Sequence, residues 1–128
     1  MNALLSVRPR YVELIASGEK QYEFRKSLFR NRNIERVYIY ATRPVGRIVG
    51  SFRVGKIIED HPHRLWEQLK DASGLSEYEF FAYFGQSDRG FAIKIEGLDC
   101  MAEPIDPREL DAGFVAPQSF CYLAADLY

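Results

Sequence analysis

Gly18-Glu19-Lys20-Gln21-Tyr22-Glu23-Phe24-Arg25 is the stretch on which the reading of this chain turns. It sets Lys20, Glu23 and Arg25, a cation, an anion and a second cation, on one short segment just past a helix-periodic run, which is the composition of a polar pocket floor. Gly18 closes that run, and Tyr22 and Phe24 alternate with Glu23 and Arg25 at the period of a β-strand. Strict alternation sends Glu23 and Arg25 to one face and Lys20, Tyr22 and Phe24 to the other. A pocket that uses both Lys20 and Glu23 therefore requires a twist or bulge between them.

On the N-terminal side, Ala3 to Val7 is a short apolar strand, and Pro9 opens a helix to Ser17 with Val12, Leu14 and Ile15 on its buried side. Ser6 and Arg8 lie between the two, placed either to cap that helix or to hydrogen-bond a ligand phosphate. On the C-terminal side, Lys26 to Arg36 is a basic connection whose polarity predicts a surface loop beside the pocket. Val37-Tyr38-Ile39-Tyr40 and Arg47 to Val54 have strand composition, parted by a turn around Pro44-Val45-Gly46. Gly50 within the second run predicts a bulge or a close backbone approach.

Beyond Glu59-Asp60 the period changes. His61-Pro62-His63 is read as a turn that opens a helix and not as a zinc site, and Leu65, Trp66 and Leu69 have helical spacing. Ser76-Glu77-Tyr78-Glu79 has the form of a capping box starting a helix through Phe84, stopped by Gly85. Trp66, Leu65, Leu69, Phe80, Phe81 and Phe84 are expected as core between helices and sheet. Gly90 to Ile95 returns to strand pattern. Glu96 to Ala116 reads as a long excursion with a short strand near Cys100 to Glu103 and a helical turn at Pro107 to Leu110, and Phe120 to Leu123 closes the sheet.

A chain of 128 residues, 47% hydrophobic and 14% aromatic, has the size and content of one folded domain over residues 1–128 and not of a disordered one. No apolar run approaches the roughly 20 residues that a membrane helix needs. Met1-Asn2-Ala3-Leu4-Leu5-Ser6 lacks a basic leader, so a cytoplasmic location is the expectation. Cys100 and Cys121 are expected as buried thiols, and neither a metal nor a cofactor is implied. The net charge of −1 conceals a division: residues 1–56 hold twelve basic residues against four acidic, a balance of +8, and residues 57–128 five against fourteen, a balance of −9. If the halves fold to different faces, a basic face for phosphate results; if they interleave, the charges neutralise one another.

The spacing G-x-K-x-x-E-x-R over Gly18 to Arg25 resembles the signature of the ASCH domain family of the PUA-like superfamily. Leu4 to Pro9, Val37 to Ala41, Pro44 to Gly50, Arg89 to Ile95 and Pro117-Gln118-Ser119-Phe120 are similar to the short stand-alone ASCH proteins, so the likeness spans nearly the whole chain. The resemblance implies an α+β fold, a small mixed β-barrel or pseudobarrel of five to six strands with flanking helices. It also implies a module that binds RNA or a nucleotide-like ligand, acting in RNA metabolism or in transcriptional or translational regulation. Some relatives are hydrolases of N4-acetylcytidine, with a threonine where Glu23 stands here, and some are ribonucleases. A protein-interaction module is the third reading.

Lys20, Glu23 and Arg25, with Tyr38 or Tyr40 nearby, suit a nucleobase or single-stranded nucleotide: a carboxylate accepts from an exocyclic amine, an aromatic face stacks, and the cations hold phosphate. An internal ion pair of Glu23 with Arg25 or Lys20 is the competing structural role. In a hydrolase Lys20 is the base and Glu23 relays protons. Ser6, Arg8, Gln118 and Ser119 are further ligand candidates. Lys26, Arg30, Arg32, Arg43 and Arg47 are candidates for following a nucleic-acid backbone.

Overall fold

In a computed structural model of the chain, residues 1–123 are described. Six strands form one curled sheet: β1 (Asn2–Val7), β2 (Tyr22–Arg25), β3 (Arg36–Ala41), β4 (Arg47–Asp60), β5 (Gly90–Ile105) and β6 (Phe120–Leu123), in the order β2-β5-β4-β3-β1-β6. The helices are α1 (Pro9–Ser17), α2 (Pro62–Leu69) and α3 (Glu77–Phe84). The result is an α+β half-barrel. β1 pairs parallel with β3, and the other pairs are antiparallel. Each edge strand is only four residues long, which limits the unpaired backbone a sheet edge presents.

α1 begins with Pro9 at its first turn and ends at Gly18, whose φ of 86° is the left-handed conformation that releases the chain toward β2. The helix buries Ile15 with Ala3, Leu5, Val7, Val37 and Ile39, all odd positions of β1 and β3. Leu4, Tyr38 and Ile48 fill a second core on the other side of the sheet. A third core lies under α2 and α3, where Tyr22 and Phe24 of β2 meet Leu65, Leu69, Phe80 and Phe84. Phe80 is the hub, its ring 5.1 Å from Phe24, 5.0 Å from Trp66 and 4.9 Å from Phe84.

Several expectations are corrected. Glu96 to Ala116 is a punctuated excursion only in its second half: β5 runs unbroken through Ile105, turning at Gly97, and the expected helical turn, Pro107–Glu109, and an irregular stretch follow. β4 likewise extends to Asp60, and together the two form a long, bulged ribbon. The ladder between them absorbs the irregularity that sequence reads as loop. Gly50 sits at such a register shift, where a Cβ would lie 2.7 Å from the Asp99 carbonyl oxygen. The 26–35 connection is not wholly polar surface either, because Phe29 and Ile34 are buried in the α1 core. Cys100 is exposed, on the wall of an open apolar groove that it shares with Val12, Ile15 and Ala16 of α1, and Cys121 is half-buried. The two charge halves interleave, with β5 placed between β2 and β4 and β6 beside β1. Among the described residues no helix is long and apolar enough to cross a membrane.

Candidate functional site

α1, the turn after it, β2 and α3 enclose a cleft of about 560 Å³. Its wall carries Ser6, Arg8, Arg10, Tyr11, Lys20, Glu23, Phe24 and Arg25 from one side, and Leu75, Tyr78, Glu79, Ala82 and Tyr83 from the other. Lys20 escapes the strand alternation that would turn it from Glu23 because it lies ahead of β2. Its backbone N–H bonds to the Leu14 carbonyl, and that of Gln21 to the Ala72 carbonyl, so the turn is fastened to both helical layers.

Lys20 is only 3% exposed. Its Nζ donates to the Ser73 carbonyl at 3.1 Å and stands 4.9 Å from the Phe24 ring centroid and 5.7 Å from that of Tyr11. Burial lowers its pKa below the ordinary lysine value; Glu23 opposes the shift and Arg25 adds to it. The ammonium is thus held in an aromatic, largely dry setting with two of its three donors uncommitted to that carbonyl.

Gly74 makes this seat possible. It has φ of 67°, and a Cβ there would meet the Lys20 Cβ at 2.7 Å. Gly74→Ala is expected to push Lys20 from its place and to strain the turn, costing about 1–3 kcal/mol of stability. A thermal melt of the variant beside the wild type checks it, with a lower midpoint expected.

Arg25 and Glu23 form an ion pair of 2.8 Å, with side chains 12% and 9% exposed. The Arg25 guanidinium also donates to Ser119 Oγ at 3.2 Å and to the Ser6 carbonyl at 3.1 Å. β2 and β6 are opposite edges of the sheet, and Ser119 immediately precedes β6. Arg25 therefore joins the two edges of the half-barrel through its side chain where no backbone ladder does. Its Nε is buried without a hydrogen-bond partner.

Ser6 and Arg8 do not cap α1. Arg8 is the N-cap residue but makes no side-chain capping bond, and Ser6 Oγ donates to the Pro117 carbonyl at 2.6 Å. Both side chains line the cleft. Tyr40 is the register partner of Ser6, yet its ring packs on Phe114, at 5.5 Å, within the core of Leu4, Tyr38 and Ile48. Neither tyrosine lines the cleft, because their strand face is filled by core contacts. Gln118 is exposed and outside the cleft, whereas its neighbour Ser119 is tied to Arg25. Lys26, Arg30 and Arg32 are exposed on the connection leaving β2, with Lys26 Nζ 5.1 Å from the Tyr83 ring centroid. Arg43 is exposed on the β3–β4 turn and Arg47 pairs with Asp106 at 3.6 Å; neither lines the cleft.

Sequence reasoning missed the far wall. Ser76 and Glu79 form the expected capping box of α3, and Glu79 also takes Arg10 as a partner. The Arg10 guanidinium, with the Ser76 N–H, holds the Glu79 carboxyl well below the carboxylate range, at about 2. Tyr78 and Tyr83 stand on either side of the Phe80–Phe84 stripe that α3 buries. Two aromatics off the buried stripe of a short helix were the available signal. Among the described residues no cluster of three or more His, Cys, Asp or Glu is placed to hold a metal ion.

Comparison with known proteins matches residues 5–100 to the family described as ASCH domain. The ASCH domain-containing ribonuclease of Zymomonas mobilis is 31% identical over 127 residues, covering 94% of this chain and 83% of that protein. The crystal structure of ASCH from Zymomonas mobilis superposes with a TM-score of 0.87 at 30% identity, covering 95% of this chain and 87% of that one. A tyrosine-to-phenylalanine mutant of the same protein gives 0.87 at 29% identity, with 95% and 89% covered.

Proposed function

The chain belongs to the ASCH domain family, and on that premise we propose that it binds RNA in the cleft beside Lys20 and cleaves it, as a single domain acting in cytoplasmic RNA metabolism. The observation that carries this reading is the buried Lys20 ammonium, with its lowered pKa, among Arg8, Arg10 and Arg25. A neutral Lys20 takes the proton of a ribose 2′-hydroxyl, whose oxygen then attacks the adjoining phosphorus. The bond from phosphorus to the 5′-oxygen breaks, and the Tyr11 phenol in the same cleft supplies the proton to that departing oxygen. The arginines offset the charge gathering on the phosphoryl oxygens. No histidine takes part: His61 and His63 stack at the start of α2, where His61 accepts the His63 N–H.

The ribonuclease name of the Zymomonas relative supports this reading over hydrolysis of an acylated base. Glu23 stands where the deacetylase pattern has a hydroxyl, and it is already held by Arg25. Lys26, Arg30 and Arg32 guide the strand toward the cleft. Affinity for a short single-stranded RNA is expected to fall steeply with salt, with a slope that shrinks by about one for every phosphate the protein no longer neutralises. Arg30→Glu with Arg32→Glu should weaken binding and flatten that slope. Filter binding at several salt concentrations, run beside a cleavage assay on the same RNA, tests the proposal; salt-insensitive binding with no cleavage rejects it.

A further inference from the structure

The first turn of α3 reaches across the cleft to α1. The Arg10 guanidinium meets the Glu79 carboxylate edge to edge, Nη1 toward Oε2 and Nη2 donating to Oε1 at 3.1 Å. The Tyr11 hydroxyl donates to the same Oε2 over a long 3.4 Å. All three side chains line the cleft that holds Lys20. Glu79 does not owe its place to Arg10, because its Oε1 also accepts the Ser76 N–H at 3.1 Å within the capping box of α3. The carboxylate is thus fixed by its own helix and presented to a guanidinium on another.

We propose that Glu79 is an autoinhibitory competitor for the RNA phosphate: it occupies Arg10 in the empty cleft, and a phosphodiester must displace it to be held there. This rests on the RNA-cleaving reading above. A carboxylate and a phosphate offer a guanidinium the same pair of parallel acceptors, so one edge of Arg10 cannot serve both at once. The pair is breakable, since the Arg10 and Glu79 side chains are 60% and 24% exposed and an ion pair so open to water is worth little. Protonation does not break it near neutrality, because the Glu79 carboxyl is held at about 2. A competing anion does. Two other cations of the wall are held differently, Arg25 by the nearly buried Glu23 and two further acceptors, and buried Lys20 by the Ser73 carbonyl. Of the three, Arg10 is the cation whose partner a ligand exchanges most readily. The exchange also uncouples α1 from α3 and frees the Tyr11 phenol from its carboxylate.

The test compares wild type with Glu79→Gln and with Glu77→Gln, whose carboxylate is exposed on the same turn and outside the cleft. Binding is read with a short single-stranded RNA carrying 2′-O-methyl groups throughout, and cleavage with its unmodified counterpart. Glu79→Gln keeps an oxygen for the Ser76 N–H but removes the charge. It should tighten binding about three- to tenfold at low salt and steepen the salt slope by about 0.7. KM should fall by the same factor and kcat should not fall. Inorganic phosphate should inhibit cleavage at a correspondingly lower concentration, and Glu77→Gln should change none of these. In an Arg10→Gln background the gain from Glu79→Gln should vanish, because no guanidinium remains to release. In the wild type, saturation with the 2′-O-methyl RNA should move the NMR signal of the Glu79 carboxyl carbon, a readout that needs no variant. A gain that persists without Arg10, a fall in kcat with KM unchanged, or a carboxyl signal that bound RNA leaves in place overturns the competitor and leaves the RNA-cleaving reading standing. A wild-type protein that neither binds nor cleaves RNA overturns both.

Discussion

Lys20→Met is expected to lower RNA turnover by a factor of about 10² to 10⁴ while leaving the thermal midpoint within about 5 °C of the wild type. The two effects separate because the ammonium is buried and linked to the protein by one backbone acceptor, the Ser73 carbonyl. Methionine removes the cost of desolvating a charge and fills similar volume between Tyr11 and Phe24. It also leaves that carbonyl without its partner, an offsetting loss of about 1–3 kcal/mol. Glu23 keeps Arg25. Calorimetry and a cleavage assay on one preparation check the pair of outcomes, and a parallel collapse of both measurements would make Lys20 a structural residue.

The pH dependence follows with a definite sign. Burial lowers the folded-state pKa of Lys20, so its neutral amine accumulates below the ordinary lysine range, and with Lys20 in the proposed role of base, activity is expected to rise with pH along a limb that Lys20→Met abolishes. In stability the same shift is a penalty, present in full at pH below the folded pKa, where lysine is charged both folded and unfolded. Above that pKa the folded form has shed its proton and the unfolded form has not, so the penalty eases as pH climbs toward 10.5. The stability difference between wild type and Lys20→Met should narrow over that interval.

Arg25→Met is expected to have the opposite character, costing about 3–5 kcal/mol of stability. It strips the partner from a nearly buried Glu23 and cuts the link from β2 to Ser119 and Ser6 across the open side of the sheet. Urea denaturation should show a lower midpoint, and Glu23→Gln combined with Arg25→Met should recover part of it, because no unpaired charge then remains. Arg25 also contributes to the lowering of the Lys20 pKa. Whatever activity survives should therefore have its rising limb displaced to higher pH, a signature that loss of folded protein alone does not produce.

The segment Gly18 to Arg25 was legible because its information is local. Gly18 stops a helix by a left-handed conformation that few other residues adopt, and Tyr22 and Phe24 alternate as a half-buried strand must. The capping box at Ser76 and Glu79 and the Pro-led starts of α1 and α2 were readable for the same reason. The long β5 was not. Its Gly97, Pro104 and acidic side chains imitate a loop, and only the ladder with β4 makes them strand. Tyr40 was misplaced because alternation tells which residues share a face without telling what fills it; Phe114, from 74 positions away, does.

By itself the sequence determined the helices, the starts of the strands and the placing of Lys20, Glu23 and Arg25 on one short segment, since periodicity, caps and residue chemistry act over a few neighbours, while the α+β class followed from the resemblance to the ASCH family. Only the tertiary structure decided that these charges share a cleft, that Arg25 closes a sheet between its two edges, and that α3 supplies the opposite wall. Those outcomes depend on pairings between residues dozens of positions apart, such as Lys20 with Ser73, Arg25 with Ser119 and Arg10 with Glu79. Packing and desolvation select such pairs after the chain has collapsed, and no local pattern encodes them.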